Sequence, residues 1–131
     1  MGCDINLFLE YKSPITRDWQ PFGYGYYISR VYSMFAKMAA VRSDGYKAIF
    51  QPRGLPKDLS DYVREEHEKV KTYEACCHTP SWLSKSDFCV CIEAHDAEAQ
   101  MDIFEYKAIL AVMTVFEEYG CDSRIVFWFC L

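Results

Sequence analysis

The sequence lacks both a long apolar run and an excess of positive charge. Its longest hydrophobic stretches are interrupted by charged residues, and they fall short of the roughly 20 apolar residues that a membrane-spanning helix needs. Its 14 basic residues are outnumbered by 19 acidic residues, which leaves a net charge of −5. We therefore expect no membrane association and no direct nucleic-acid binding, whereas a basic protein is a suitable partner.

The sequence motifs of several large enzyme classes are also absent. There is no nucleophile elbow, no Gly-rich phosphate loop, no dinucleotide fingerprint and no zinc-protease motif. A group of thiols and one imidazole invites a zinc interpretation, but it contains no C-x2-C pair. The members of this group are Cys76, Cys77, His78, Cys89 and Cys91. We predict neither a metal nor a cofactor.

The number of cysteines, seven, is odd, and no secretory leader precedes them. Structural disulfides are rare in the reducing cytoplasm, where free cysteines act as small buried hydrophobic residues. We therefore expect a cytoplasmic protein with reduced thiols.

Apolar and aromatic residues, in contrast, are plentiful. They make up 51% and 17% of the 131 residues, and charged residues make up 25%. This composition is typical of a folded chain with a substantial core. We expect one globular domain over residues 1–131.

The opening MGCDINLFLEYK permits two interpretations. "MGC" is typical of acylated membrane proteins, but position 6 is Asn6 where the myristoylation pattern has Ser or Thr, and no basic cluster follows. Apolar residues instead alternate with polar ones from Cys3 to Lys12, the period-two pattern of a strand with one buried face. This alternation predicts a core strand and places Asp4 and Asn6 together on its other face.

The rest of the chain alternates between predicted helices and extended segments. SPITRD followed by WQPF predicts a hairpin with the first strand, GYGYY a flexible loop, YKAIF a strand or extended segment, and CCHTPSWL an irregular segment. Predicted helices begin at Ser29 (to about Arg42), at Ser60, at Ser84 (short, with Asp87 completing a capping box) and at Ala97 (to about Tyr119, with Gly120 as the C-terminal cap). RIVFWF predicts a central strand.

These elements predict an α+β fold. We expect a small antiparallel sheet with the N-terminal and C-terminal strands at its centre, covered on one face by two or three helices.

One candidate site combines the polar face of the first strand with the HTPS loop. Asp4 and Asn6 share that face, and a loop could bring His78 and Ser81 towards them. A carboxylate, a carboxamide and an imidazole can bind a ligand, hold a metal or transfer protons. The simpler alternative is that these side chains only make local hydrogen bonds.

Two charged groups suggest other ligands. Acidic residues are dense between Glu93 and Glu118, and Glu98, Asp102 and Glu105 form a predicted acidic interaction face for a basic surface on a partner protein. A solvated helix face is the simpler alternative. Arg30 and Arg53, close to aromatic segments, are candidates for binding a small anionic ligand such as a nucleotide.

Five segments together resemble an uncharacterised family of small phage and bacterial proteins. These segments are MGCDINLFLEYK, RVYSMFAKMAAVR, RGLPKDLS, HTPSWL and SRIVFWF. Members of that family begin MGCDIH and end near RVVFWFDN. Asp4, His78 and Ser81 match the family's polar positions, but Asn6 stands where the family has His, and Cys130 where it has Asp. Because Asn cannot replace imidazole as a transition-metal ligand, these departures argue against catalysis.

We expect a non-catalytic phage-type binding or inhibitor protein in the host cytoplasm. This hypothesis is based on the small size, the acidity, the richness in aromatic residues and the absence of an intact catalytic motif, together with the resemblance. The protein's target would be a host protein or a small anionic ligand, and counter-defence, by inhibition of a CRISPR effector or sequestration of a nucleotide signal, is the specific form. The alternative is a small metal-dependent hydrolase or nuclease with a degenerate site at Asp4, Asn6 and His78. A third interpretation is a scaffold protein that forms homo-oligomers through exposed Tyr and Phe.

Overall fold

The structure, a computed structural model, describes residues 2–73 and 77–131. The elements in chain order are β1 (Asp4–Lys12), β2 (Trp19–Pro21), β3 (Tyr26–Tyr27), α1 (Tyr32–Ala39), α2 (Asp61–Tyr73), β4 (Cys77–Ser84), α3 (Lys85–Glu98), α4 (Phe104–Glu118) and β5 (Asp122–Cys130). The strands form one antiparallel sheet in the order β2-β1-β5-β4, and β3 also pairs with β1. The predicted α+β fold with the first and last strands at the centre is confirmed.

The alternation in β1 divides the sheet into two faces. Cys3, Ile5, Leu7 and Leu9 are buried on the face that packs against α1, α3 and α4. On the opposite face, a smaller cluster joins the sheet to α2 and to the loop before it. This second cluster consists of Phe8, Leu59, Val63, Val126, Trp128 and Cys130. Both faces of β5 are therefore covered, which accounts for its continuous apolar sequence.

Several local predictions are confirmed. The β1–β2 hairpin is present, with Lys12 opposite Trp19. Ser84 and Asp87 form the predicted capping box. Gly120 adopts a positive φ of 78° directly after α4, and its amide donates to the Glu117 carbonyl. Glycine is favoured there because the left-handed conformation is strained for residues with a Cβ atom.

The segments around α3 differ from the prediction. CHTPSWLS is not irregular, because it forms the strand β4, whose pairing with β5 shifts between His78 and Ser81. The helix after Ser84 is long, with 14 residues. The predicted helix from Ala97 to Tyr119 is interrupted by residues 99–103, which connect α3 to α4. Both helices contribute to the larger core cluster, and apolar periodicity does not reveal such an interruption.

The predictions for α1, α2 and the loops also need correction. GYGYY contains β3, and YKAIF lies outside the helices and strands. The residue before α1 is Val31, so Ser29 does not cap it. Ser60 precedes α2 as predicted, but its hydroxyl has no hydrogen-bond partner in the described part of the chain.

The expectation of reduced thiols is wrong for Cys77 and Cys130, which form a disulfide between β4 and β5. They are directly opposite in the register, with Cα atoms 4.2 Å apart. Sequence spacing cannot identify such a pair, since cysteine connectivity depends on the fold. Cys76 lies outside the described residues.

Candidate binding surface

The predicted site at Asp4, Asn6 and His78 is divided between the two faces of the sheet. Directly paired residues on neighbouring strands point to the same face. Asp4 pairs with Cys130 and Asn6 with Trp128, on the face covered by α2. His78 pairs with Phe129, on the face covered by α1, α3 and α4. His78 therefore does not converge with Asp4 and Asn6.

Each of these three side chains bonds to a different neighbouring side chain. The Asp4 carboxylate pairs with Arg30 at 2.5 Å, and the Arg30 hydrogen bond lowers the pKa of this carboxyl. The Asn6 amide donates to the Cys130 sulfur at 3.3 Å, and the His78 Nδ1 lies 2.7 Å from the Thr79 hydroxyl.

Ser81 and Arg53 connect β4 to the loop that precedes α2. The buried Ser81 hydroxyl accepts a hydrogen bond from the Arg53 amide at 2.9 Å. The Arg53 guanidinium pairs with Asp87 at 2.7 Å and lies over the rings of Phe50 and Trp82. Since Arg30 is also paired, an anionic ligand at either arginine must compete with an internal carboxylate.

The predicted acidic face is likewise engaged within the molecule. Glu98 receives the buried Lys37 ammonium at 2.8 Å and the Lys47 amide at 3.2 Å. Asp102 accepts the Phe104 amide at the start of α4. Glu105 accepts both the amide and the hydroxyl of Ser29. Glu98 and Glu105 therefore connect distant segments of the chain, whereas Asp102 makes a local bond at the start of α4.

A buried ion network that the sequence analysis missed lies at the other end of the sheet. Arg124 of β5 donates to Glu10 of β1 at 2.7 Å and to Asp58 at 2.8 Å, and the Glu10 side chain is fully buried. The Arg124 hydrogen bond lowers the pKa of Asp58. Trp19 lies over the guanidinium at 3.8 Å and donates its indole N–H to Asp58. The only signal in the sequence was a charged residue within each of the two apolar strands.

Two grooves of about 420 and 580 Å³ adjoin this network, and Trp19 and Asp58 line both. Two of the cations in the smaller groove, Arg124 and Lys85, already pair with carboxylates. Within residues 2–73 and 77–131, no three His, Cys, Asp or Glu side chains form a group that could hold a metal ion. The network therefore connects β1, β5 and the loop before α2, and its charges are satisfied internally.

Among the described residues, two of the three most exposed aromatic side chains lie in β3 and in the loop before it, and β3 pairs with β1. Tyr24 and Tyr27 are each 80% exposed. Tyr27 pairs with Asn6, and the Tyr24 ring lies 6.1 Å from the ring of Tyr62 on α2. We call Tyr24, Tyr26, Tyr27 and Tyr62 the tyrosine surface. They line a depression of about 370 Å³ whose other polar groups include Asn6 and Glu66.

Glycine makes the conformation of this loop possible. Gly23 adopts a positive φ of 72°. A Cβ atom on Gly25 would lie only 2.9 Å from the Phe8 ring, so a larger residue there would push the loop away from β1. The alternation of glycine and tyrosine in GYGYY thus combines close packing of the backbone with outward display of the rings.

Comparison with protein-family models, with curated proteins and with solved structures finds no match to this chain. The resemblance to the phage and bacterial family stays a prediction. None of the helices in the described ranges is long and apolar enough to cross a membrane.

Proposed function

We propose that this chain is a non-catalytic binding protein that engages a partner protein through its tyrosine surface. The observation that carries the proposal is the outward display of Tyr24 and Tyr27, next to a depression that reaches Asn6 and Tyr62. Tyrosine offers a large apolar ring and a hydroxyl at a small entropic cost, which is why it is enriched in protein-binding surfaces.

Charge narrows the class of partner. The chain carries a net charge of −5. Glu66 lies at the margin of the tyrosine surface, where it accepts the Tyr62 hydroxyl and pairs with Lys69. A partner with a basic, hydrogen-bonding surface is therefore favoured by long-range attraction. A host protein inhibited by a phage-encoded protein is the specific form, and it depends on the family resemblance.

The nucleotide-sequestering form has less support. Arg30 and Arg53, the candidate anion ligands, are each paired with a carboxylate. The hydrolase alternative needs Asp4, Asn6 and His78 in one place, and the sheet separates them.

The test is affinity capture from lysate of the native host, followed by titration of the captured protein. We expect the Tyr24→Ala/Tyr27→Ala variant to bind at least roughly tenfold more weakly, because aromatic hot-spot residues contribute about 2 kcal/mol or more. Tyr46→Ala, at an exposed tyrosine in the loop after α1, is the matched control and should bind like the original chain. Circular dichroism verifies that all the variants are folded.

Two results would contradict the proposal. One is a partner that binds the double variant with unchanged affinity. The other is a nucleotide, rather than a protein, recovered in stoichiometric amount from the captured material.

A further inference from the structure

The outer face of α4 is apolar and has no covering element among the described residues. Phe104 is 66% exposed and Val115 is 52% exposed, and Ala108 and Ala111 between them are exposed as well. Their spacing of four, three and four residues places all of them on one side of the helix. The buried residues of α4, Tyr106, Ile109 and Met113, lie on the opposite side. We call Phe104, Ala108, Ala111 and Val115 the α4 seam.

Comparison with α2 shows that this composition is unusual for a surface helix of this protein. Exposed positions of α2 include Asp61, Glu65, Glu68 and Lys71, so that helix presents charge to water. Among the charged side chains of α4, Lys107 lies beside the seam, and Glu118 continues its spacing at the C-terminal end of the helix. Lys107 pairs with Asp96 on α3 at 3.0 Å. An amphipathic surface helix normally has polar residues opposite its buried face, so an apolar outer face indicates an interaction surface.

The order of side-chain sizes along the seam is self-complementary. Phe104 at one end is large, Ala108 and Ala111 in the middle are small, and Val115 at the other end is of medium size. If two α4 helices pack antiparallel about a two-fold axis between Ile109 and Leu110, Ala108 lies opposite Ala111 of the second copy and Phe104 opposite Val115. The alanines then allow a close approach at the centre, and the larger side chains fill the two ends.

The electrostatics of this arrangement are also favourable. No charged residue belongs to the seam, so none is desolvated at its centre. The same two-fold axis places Glu105 level with Thr114, and Glu118 level with Met101, of the second copy. Glu117 is level with Asp102, but Glu117 pairs with Lys85 and Asp102 accepts the Phe104 amide. The antiparallel orientation also aligns each helix N-terminus with the C-terminus of the other.

We infer that the α4 seam binds a second copy of this chain as an antiparallel, two-fold symmetric dimer. A 15-residue helix is about 22 Å long, and contact along this length alone buries less than the ~800 Å² per partner of a standard interface. The dimer is therefore weak, with a dissociation constant on the order of micromolar or above. Tyr62 lies on α2, which covers the other face of the sheet, so each dimer presents two accessible tyrosine surfaces.

Sedimentation equilibrium from roughly 1 to 500 μM, a range that brackets the expected affinity, is the first test. We expect a monomer–dimer equilibrium for the original chain and a monomer throughout for Ala108→Glu. Ala97→Glu, at an exposed alanine of α3, is the matched control and should dimerise normally. Tyr24→Ala/Tyr27→Ala should also dimerise, which separates this inference from the proposed function.

Disulfide cross-linking tests the register in a background with Cys89 and Cys121 replaced by Ser. A mixture of Phe104→Cys and Val115→Cys chains should form a cross-linked heterodimer. Neither variant alone should do so, since its two thiols would be roughly 16 Å apart along the paired helices.

Three outcomes would overturn the inference. These are a monomer at every concentration, dimerisation that Ala108→Glu does not weaken, and cross-linking of the single variants as efficient as that of the mixture. Binding of a different protein at the seam by a chain that stays monomeric would assign the face to that partner instead.

Discussion

Two buried cations, Arg124 and Lys37, illustrate how single residues stabilise this fold. Arg124 connects β5 to Glu10 and Asp58, and the fully buried Lys37 of α1 reaches Glu98 at the end of α3. A buried charge is costly to desolvate, so each cation depends on the carboxylate that faces it. Changes at these residues should therefore reduce stability without touching the tyrosine surface or the α4 seam.

We predict that Arg124→Met lowers the free energy of unfolding by about 3–5 kcal/mol, because it leaves the Glu10 carboxylate buried without a counter-charge. Urea denaturation monitored by tryptophan fluorescence measures the change. Adding Glu10→Gln to this variant should restore part of the loss, since the unpaired charge is removed. A double variant as unstable as the sum of the two single variants would contradict this account. Arg17→Met, at an exposed arginine, serves as the control.

We predict that Glu98→Lys destabilises the protein, although the sequence alone identified Glu98 as part of an acidic interaction face. The substitution places a second ammonium beside the buried Lys37 and removes the acceptor of the Lys47 amide. Thermal unfolding should show a clear decrease in Tm. The same charge change at the exposed loop residue Asp44 should leave Tm nearly unchanged. Equal effects at both positions would show that net charge, and not the contact with Lys37, determines the result.

At the scale of elements, β4 owes its attachment to β5 partly to the disulfide at one end. Cys77 and Cys130 are 53 residues apart in the chain, and closing a loop of this length stabilises a fold by about 4 kcal/mol in the chain-entropy model. We predict a corresponding decrease in stability for the Cys77→Ser/Cys130→Ser variant. Dithiothreitol should lower the urea midpoint of the original chain and leave that of the variant unchanged. An original chain insensitive to the reductant would contradict the role of this bond.

The packing of α2 should depend on pH through His67. The centroids of the His67 and Trp128 rings are 4.9 Å apart. Burial lowers the pKa of His67 below the usual 6.5; the charge of Lys71 lowers it further, and that of Glu68 opposes the shift. The unfolded chain therefore takes up a proton at a higher pH than the folded chain does. Stability should decrease as the pH falls below about 6.5 and continue to decrease until the lower pKa of the folded state is passed.

The measurement is the urea midpoint of the original chain and of His67→Gln at pH 7.5 and 5.5. We expect the original chain to lose more stability than the variant between these two values. Equal losses would assign the pH dependence to other groups.

Elements were predictable where the pattern is local. The alternation predicted β1, and the continuous apolar run predicted β5. The Ser84 capping box predicted the start of α3, and Gly120 predicted the end of α4. β4 was missed because an edge strand with a shifted register has no regular period, and its buried Ser81 bonds to the loop before α2.

At the scale of the whole molecule, the strand order of the sheet determines which regions are the most resistant to local unfolding. β1 and β5 each have paired neighbours on both sides and belong to the larger core. α2 packs only on the smaller cluster of the opposite face. Local unfolding costs more free energy in cooperative units that have more buried apolar contacts.

We predict that amide hydrogen exchange is slowest in β1 and β5 and much faster in α2. Mass spectrometry of peptic fragments after deuterium labelling gives the rates. If α2 exchanged as slowly as β5, the two faces of the sheet would form one cooperative unit, and the division into two clusters would have no energetic meaning.

The candidate site was predicted less well than the fold. Alternation correctly placed Asp4 and Asn6 on one face of β1, but it could not show that His78 lies on the other face of the sheet. The richness in tyrosine was evident from the composition, whereas the position of Tyr26 and Tyr27 beside β1 depends on β3 pairing with Asn6 and Leu7.

The sequence by itself determined the features whose pattern is local: the two central strands, the start of α3 at Ser84, the end of α4 at Gly120 and the apolar periodicity of α4. Only the tertiary structure decided which residues meet. Arg124 pairs with Glu10 across 114 positions, and Cys77 bonds to Cys130. The carboxylates of the predicted acidic face accept hydrogen bonds from Lys37, Phe104 and Ser29. The physical reason is range, because hydrogen bonding and periodicity act along the chain, whereas these contacts form only when distant segments pack together. The same packing leaves Tyr24, Tyr27 and the α4 seam exposed to a partner.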